Sequence, residues 1–483
     1  MIDELHAQQL QDQIEAAKQW PPKSEQEVRE CIGLFRAMRE ADAAQLRPRD
    51  WDADDNHTER RRPFLVDPLP ARVSEAFADL IYGEDPVFKA ATEGDQDELD
   101  ELVEANELTS ELRGAVDLSV SEGEVWWRIL VDRDRAETAI IEWHSRLNVL
   151  PLIRGRKVLA AAMFTEMPDP ESENRVWRYF EIHAEGLVRN LLFEGGKDKL
   201  GTERELAAHP QTADLETEWR HELPMLVGRI QHLRGRSQYA RCVELYSALN
   251  EATTVGQENM RLTAKKRVVV PSEFLDQHGR FPAGAEIMVA TNVDRDPDKP
   301  GQGLAQVEWS FDAEALELYK NGLVDTILTR SRVAPQLVGR HTEGAQTGPA
   351  LRARLLDSLL AARGIARTWD DKTPAVVTLA QQVSALSVDQ GGLGRAWTSA
   401  TEPPTITRRD ALPDDEELEV RVHATAVGAE IESRETAIRA LHTDWDDTQI
   451  SQELDRIDQD MKLVPPPGGQ DLPPETGGNA ETS

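Results

Sequence analysis

The sequence predicts an α+β protein in which helical and strand-forming stretches are segregated along the chain. Three observations carry that prediction. Residues 1–110 read as helical, the pattern changes to strands from Gly123, and residues 237–368 read without a break as helix, small sheet, helix, loop, helix.

In chain order, helices are predicted over Ser24–Ala44 and Pro70–Ile81, the second ending before the turn Gly83-Glu84-Asp85-Pro86, with Arg47–Arg62 as an irregular charged link. Glu93–Glu107 is an acidic amphipathic helix whose apolar face is Leu99, Leu102 and Val103 and whose charges form a solvated face. Strands follow at Val125–Val131, Thr138–Trp143, Val158–Phe164, Trp177–Ile182 and Leu187–Phe193. Short turns such as Arg154-Gly155-Arg156 suggest an antiparallel meander. Residues 195–222 are polar and read as loop, and Leu226–Ile230 adds a strand.

Ser237 is a good N-cap for a helix reaching about Arg267, with Tyr239, Cys242, Val243, Tyr246, Leu249 and Met260 on one side. At ~1.5 Å per residue such a helix is about 45 Å long. Val268–Val270, Ile287, Val289, Val307, Trp309 and Phe311 then mark a small sheet, interrupted by the turn Asp294–Gly303. Asp312 caps a second helix with Leu316, Tyr319, Leu323, Val324, Ile327 and Leu328 on its apolar side, ending before Pro335. Pro335–Gly348 holds three glycines and few apolar residues, the composition of an exposed, mobile loop. Pro349 opens a third helix that buries Leu351, Leu355, Leu356 and Leu359, while Arg352, Arg363 and Arg367 share another side. Pro374–Leu386 reads as a separate helix and Pro404–Arg408 as a short extended piece. Ser433 caps Glu435–Leu441, and Asp446 with Gln449 forms a capping box ahead of Ile450, Leu454, Ile457 and Met461. The Pro- and Gly-rich tail after Val464 is predicted to be disordered.

A chain of 483 residues, 39% hydrophobic and with mean hydropathy −0.53, can bury a large core yet keeps much charged surface. No apolar run approaches the ~20 residues of a membrane span, and Met1–Trp20 has neither a basic start nor an apolar signal core, so a cytoplasmic chain without membrane contact is expected. Cys31 and Cys242 are too few for a disulfide framework or a thiolate metal site and are expected to be free and buried. The formal charge of −33 opposes gripping nucleic acid through its phosphates, although a repelling wall lets a duplex slide past.

Motifs for chemistry fail one by one. Gly196-Lys197 is followed by Asp198, with Leu191 where a phosphate loop needs its first glycine. His221-Glu222 meets Met225 in place of a second zinc-binding histidine, and Gly235–Tyr239 lacks the second glycine of a nucleophile elbow. Gly301-x-Gly303 lacks a third glycine and lies between strands. The calcium-loop openings at Asp52 and Asp294 carry His57 and Lys299 where glycine is required. No catalytic, cofactor-binding or metal-binding residue is assigned. Arg60-Arg61-Arg62 is a solvated link, while Lys265, Lys266 and Arg267 suit either a helix C-terminus or DNA. Arg340 and His341 in the glycine-rich loop are candidates for function.

Together these stretches resemble the portal proteins of tailed bacteriophages, the head-to-tail connectors of long-tailed phages of Gram-positive hosts. The resemblance is carried by Arg72–Pro86, Gly123–Asp132, Ser237–Leu275, Ala350–Trp369 and Gly428–Ile457, and covers most of residues 60–463. The closing helix pair is the most telling, with Ser433, Thr436, Ala437 and Leu441 followed by Glu453, Leu454 and Ile457.

The resemblance implies a portal fold closed into a ring of twelve: a β-containing wing over 1–236, a two-helix stem at 237–267 and 312–333, and a small α/β clip at 268–311. A tunnel loop at 334–349, wing return helices over 350–400, a helical crown over 401–463 and a tail over 464–483 complete it. It further implies a DNA channel at the capsid vertex of a virion, assembled in the host cytoplasm. The partners implied are double-stranded DNA, terminase, a head-completion adaptor, and the major capsid and scaffold proteins. Arg340, His341 and Glu343 would face DNA from the tunnel loop, Lys265, Lys266 and Arg267 would form the basic end of the stem, and Asp294, Arg295, Asp296, Asp298 and Lys299 would face terminase from the clip. Twelve copies would carry a charge of about −400. A scaffold, an adaptor, or an enzyme with a spatially assembled site are the rival classes.

Overall fold

The computed structural model describes residues 3–17, 19–48, 63–169, 172, 174–263, 267–271, 287–290, 305–307, 311–340, 348–395, 402–408, 416–429, 431–442 and 447–463. The chain divides into two units, Met1–Ala411 and Leu412–Ser483.

The first unit opens with α1 (Glu4–Glu15). Asp3 caps it by accepting from the His6 amide, and Ala7, Leu10 and Ile14 fall on its buried side at helical spacing. Next come α2 (Lys23–Arg39), α3 (Ala43–Leu46), α4 (Leu69–Tyr82), the short strand β1 (Val87–Lys89), α5 (Gln96–Ala105) and α6 (Leu108–Glu122). Leu99 and Leu102 of α5 are fully buried, as the apolar spacing predicts. α6 stops at Gly123, whose φ is +97°, and a Cβ there would lie 2.9 Å from the Gly235 carbonyl oxygen and the Ser237 nitrogen. Only glycine allows both that dihedral and that approach.

Strand chemistry takes over with β2 (Glu124–Leu130), β3 (Ile140–Ser145), β4 (Val149–Arg154), β5 (Lys157–Pro168), β6 (Val176–Ala184), β7 (Leu187–Gly196), β8 (Lys199–Arg204), β9 (Glu218–Arg220) and β10 (Val227–Gln231). The predicted meander is split into two sheets. β4 to β8 run antiparallel in sequence order, with β9 also on β7, whereas β2 lies between β3 and β10 in a three-stranded sheet. The break falls at a 3₁₀ turn, Arg146–Asn148, where the Ser145 hydroxyl accepts from the Leu147 amide and ends the β3 ladder. β8 and β9 stand inside the stretch expected to be loop; their polar residues lie on exposed strand positions, which removes the alternation that marks a half-buried strand.

α1 and Trp20 cover the larger sheet, packing against Phe164, Phe180, Leu191 and Phe193. The Trp20 ring meets Phe164 and Phe180 edge-on at 5.1 and 5.3 Å, and its Nε1 donates to Glu166 at 2.5 Å. Beneath it Arg178, 1% exposed at its side chain, donates to Glu166 at 2.8 Å and to the Lys199 and Lys197 carbonyls at 2.8 and 3.0 Å. That buried cation is satisfied by one carboxylate and two carbonyls, which fixes the β7–β8 connection.

After β10, the helix expected from Ser237 begins later. Ser237 caps a 3₁₀ turn, Gln238–Arg241, and its hydroxyl donates to the Ser121 carbonyl, so it ties the turn to α6; α7 then runs Val243–Thr263, about 32 Å. Arg267 is accordingly the first residue of a strand. β11 (Arg267–Pro271) pairs parallel with β12 (Ile287–Ala290) and antiparallel with β13 (Ala305–Val307), giving the small sheet expected there. α8 (Ala313–Ser331) is capped by Asp312, which accepts from the Ala315 amide at 2.9 Å. It packs against α7, where a Cβ on Gly256 would come within 2.5 Å of Leu316.

α9 (Gly348–Ala385) is one helix where two were expected, and Pro374 lies inside it. An interior proline costs a helix about 3 kcal/mol, and here both flanking turns are buried through Trp369, Val376, Val377 and Ala380, so core packing carries the helix across. β14 (Thr405–Thr407) pairs with β1, and Arg408 grips both oxygens of Asp370 on α9 at 2.9 and 2.8 Å. The main core joins α4, α6, β2, the start of α7, the end of α8 and α9 through Phe77, Leu112, Ile129, Tyr246, Ile327 and Trp369.

Several side chains depart from their expected burial. Cys242 is buried but Cys31 is exposed. Met260 and Tyr319, expected on buried sides, are 58% and 54% exposed, because the core reaches only the beginning of α7 and the end of α8. Leu356, also expected to be buried, is 54% exposed because it lies away from the buried side of α9 that holds Leu355 and Ala362.

The second unit contains α10 (Glu416–Gly428), α11 (Arg434–Leu441) and α12 (Asp447–Leu463). Ser433 caps α11 as predicted, accepting from the Thr436 amide at 3.1 Å. Asp446 of the predicted capping box, Trp309 and the tail from residue 464 lie outside the described residues.

Candidate functional site

Of the residues singled out in the sequence, Arg340 is the one whose side chain the structure places in a defined setting. After α8, Arg332 adopts a left-handed φ of +57° and turns the chain into a 3₁₀ turn, Pro335–Val338, closed by Gly339 at φ +77°. The chain therefore folds back along α8. Arg340 Nη1 donates to Asp325 Oδ1 at 2.6 Å and Nη2 donates to Asn321 Oδ1, two groups one helical turn apart on the same face.

The other side of this turn is bound to α9. Arg332 donates to Asp357 Oδ1 through Nη2 and Nε at 2.5 and 3.0 Å, and the Ala334 amide donates to the buried Ser358 hydroxyl at 2.8 Å. Together with Arg354 these groups line a cleft of about 730 Å³. The hydrogen bond from Arg332 holds the Asp357 carboxyl below its usual range, and Asp357 in turn raises the Arg332 guanidinium. Both groups are solvated, so the pair positions the loop base and contributes little to stability. Three arginines and two aspartates thus converge where the chain leaves α8 and enters α9.

Sequence reading singled out Arg340 but missed Asn321, Asp325 and Asp357. The i, i+4 spacing of Asn321 and Asp325 was a visible signal; the Arg332–Asp357 pairing had none. Arg267 occupies the start of β11 opposite Val307. His341, Glu343, Lys265, Lys266, Asp294, Arg295, Asp296, Asp298 and Lys299 lie outside the described residues.

The remaining perturbed groups sit within the fold. Arg128 bridges Glu142 at 2.6 Å and Glu181 at 2.9 Å across the two sheets. Burial works to raise the Glu181 carboxyl, but the charges of His183 and Arg128 bring it down to about 2. Glu142 is held well below the carboxylate range by its hydrogen bond to His144 and by Arg128. Burial pushes the Cys242 thiol up, away from thiolate chemistry. Among the described residues, no group of three or more His, Cys, Asp or Glu is placed to hold a metal ion, and no helix is long and apolar enough to cross a membrane.

No family model and no curated protein matches the chain. Solved structures do. The virion of a native gene transfer agent particle aligns at 12% identity and a TM-score of 0.41, covering 85% of this chain and 98% of that one. The neck of the native particle, computed with twelve-fold symmetry, aligns at 11% identity and a TM-score of 0.42, covering 78% and 89%. The neck of the empty particle, computed with six-fold symmetry, aligns at 12% identity and a TM-score of 0.42, covering 87% and 94%. At such identities and TM-scores these likenesses are too distant to assign a role.

Proposed function

We propose that the chain is the subunit of a portal ring, the channel through which double-stranded DNA is packaged into and ejected from a phage-like capsid. One observation carries this reading: large apolar side chains are exposed together on the helices of the 237–368 segment. Leu318, Met260, Tyr319, Leu356 and Leu360 are each more than half exposed on α7, α8 and α9, and elsewhere in the described part of the first unit only Leu5 and Val388 are so exposed. Scattered exposed leucines are ordinary, but a concentration on one helical segment marks a contact surface. A helix pair joined by a small sheet at one end and rooted in the core at the other gains this burial by standing beside further copies, and repetition of one such contact closes a ring.

Within that ring the loop base between α8 and α9 would present Arg340, His341 and Glu343 to DNA, and an acidic wall would keep the duplex from adhering. The strands β11 to β13 and the turn holding Asp294, Arg295, Asp296, Asp298 and Lys299 would meet terminase during packaging and an adaptor afterwards. Twelve subunits is the stoichiometry proposed at the capsid vertex, where the ring would also contact the major capsid and scaffold proteins. Native mass spectrometry and electron microscopy of the purified full-length chain test the reading. Closed annular particles are expected; a monomer at every concentration overturns it.

A further inference from the structure

The first half of α9 is charged against the trend of the chain. Between residues 348 and 369 it carries Arg352, Arg354, Arg363 and Arg367 against the single acid Asp357, in a protein of net charge −33. Arg352, Arg363 and Arg367 are exposed and fall with Leu356 and Leu360 within about 80° of one another around the helix. The two leucines are 54% and 51% exposed, while the opposite side, including Leu355, Ala362, Ala366 and Trp369, is buried.

Cations interleaved with exposed leucines are poorly matched to DNA, since phosphates reward the arginines and leave the leucines in water. They match an acidic helix with an apolar centre. The first half of α8 presents such a face: Glu314, one turn before Leu318, and Glu317 beside it are exposed, and Leu318 at 76% is the most exposed large apolar side chain described in the first unit. Among the described residues both faces are exposed, and their opposite charges suit a contact between copies of the chain. A contact between two different patches can repeat head-to-tail from copy to copy and so close into a ring.

We propose that the arginine–leucine face of α9 on one copy receives the acidic, leucine-centred face of α8 on the next. This rests on the ring reading above and adds which surfaces meet. The test uses two full-length double variants, R363E/R367E and E314R/E317R, examined alone and mixed. All four side chains are exposed, and unchanged circular dichroism and melting would confirm that each subunit folds. Each variant alone should need about tenfold or more protein to form rings, because like charges then face one another. R363Q/R367Q, which removes charge without reversing it, should show a smaller loss. The mixture should recover rings in which the two variants alternate, with masses to match. Variants that each assemble like the native chain overturn the proposal, as does a mixture that fails to recover rings. Native-like rings of R363E/R367E that lose DNA retention would overturn it in favour of a phosphate contact. Failure of the native chain itself to form rings would instead remove the portal reading on which the proposal stands.

Discussion

Replacing Leu318 by serine separates the stability of the subunit from that of its assembly. In the single chain this side chain is 76% exposed, so its loss should cost the fold no more than about 0.5 kcal/mol, most of it helix propensity. In a ring the same leucine would be covered by a neighbour. Full burial of leucine is worth about 1.5–3 kcal/mol, and with three quarters of the side chain still open the assembly stands to gain roughly 1–2 kcal/mol per contact from it. That corresponds to about a 5- to 30-fold weaker contact, repeated at every interface of a closed ring. Light scattering after size exclusion over a dilution series should show the variant leaving the ring at higher concentration than the native chain, while its monomer melts within a few degrees of it. Superimposed dilution curves would refute the argument that α8 is an assembly surface.

Three further outcomes follow from single sites. Glu122 is buried at the end of α6, and burial lifts its carboxyl from 4.5 to about 7 despite a hydrogen bond from Ser145 and the charges of Arg39 and Arg36. A carboxyl raised in the folded state favours the fold while it is protonated, so this contribution is complete below about pH 4.5 and is lost as pH rises towards 7. Glu122→Gln should therefore gain stability relative to the native chain across that window and hold the gain above it, measured as urea midpoints against pH; a difference that does not vary with pH would refute the assignment. Arg178→Ala leaves the Lys197 and Lys199 carbonyls without their donor, while Glu166, 45% exposed, keeps Trp20, and it should cost about 1–3 kcal/mol in chemical unfolding. Arg340→Glu sets a carboxylate against Asp325 at the loop base. It should alter DNA packaging or retention while leaving ring formation intact, and unchanged packaging would remove that role.

The sequence carried the local rules legibly. Asp312 and Ser433 cap the helices they were expected to cap, Leu99 and Leu102 face the core, and the alternation of residues 125–193 marks genuine strands, because caps and periodicity act within one or two turns of the chain. Helix limits were less legible where a tertiary bond intervened. Ser237 looks like an N-cap in either setting, and it opens a 3₁₀ turn while its hydroxyl is bonded to the Ser121 carbonyl, 116 residues away. Likewise Pro374 reads as a boundary until the packing of Trp369 and Val376 on both sides is known.

What the sequence by itself determined is the succession of elements, the acidic balance and the want of any compact catalytic motif, all of which depend on residue type and short-range spacing. Only the tertiary structure decided that β2 pairs with β10 a hundred residues on, that Arg340 is held by α8, and that Leu318 and Leu356 stay in water. The reason is physical: apolar spacing tells which residues seek cover, but how far a core extends along a helix is set by what packs against it. On α7 and α8 the subunit's own core runs out before the apolar residues do, and on α9 it covers only the side of Leu355 and Ala362, away from Leu356 and Leu360.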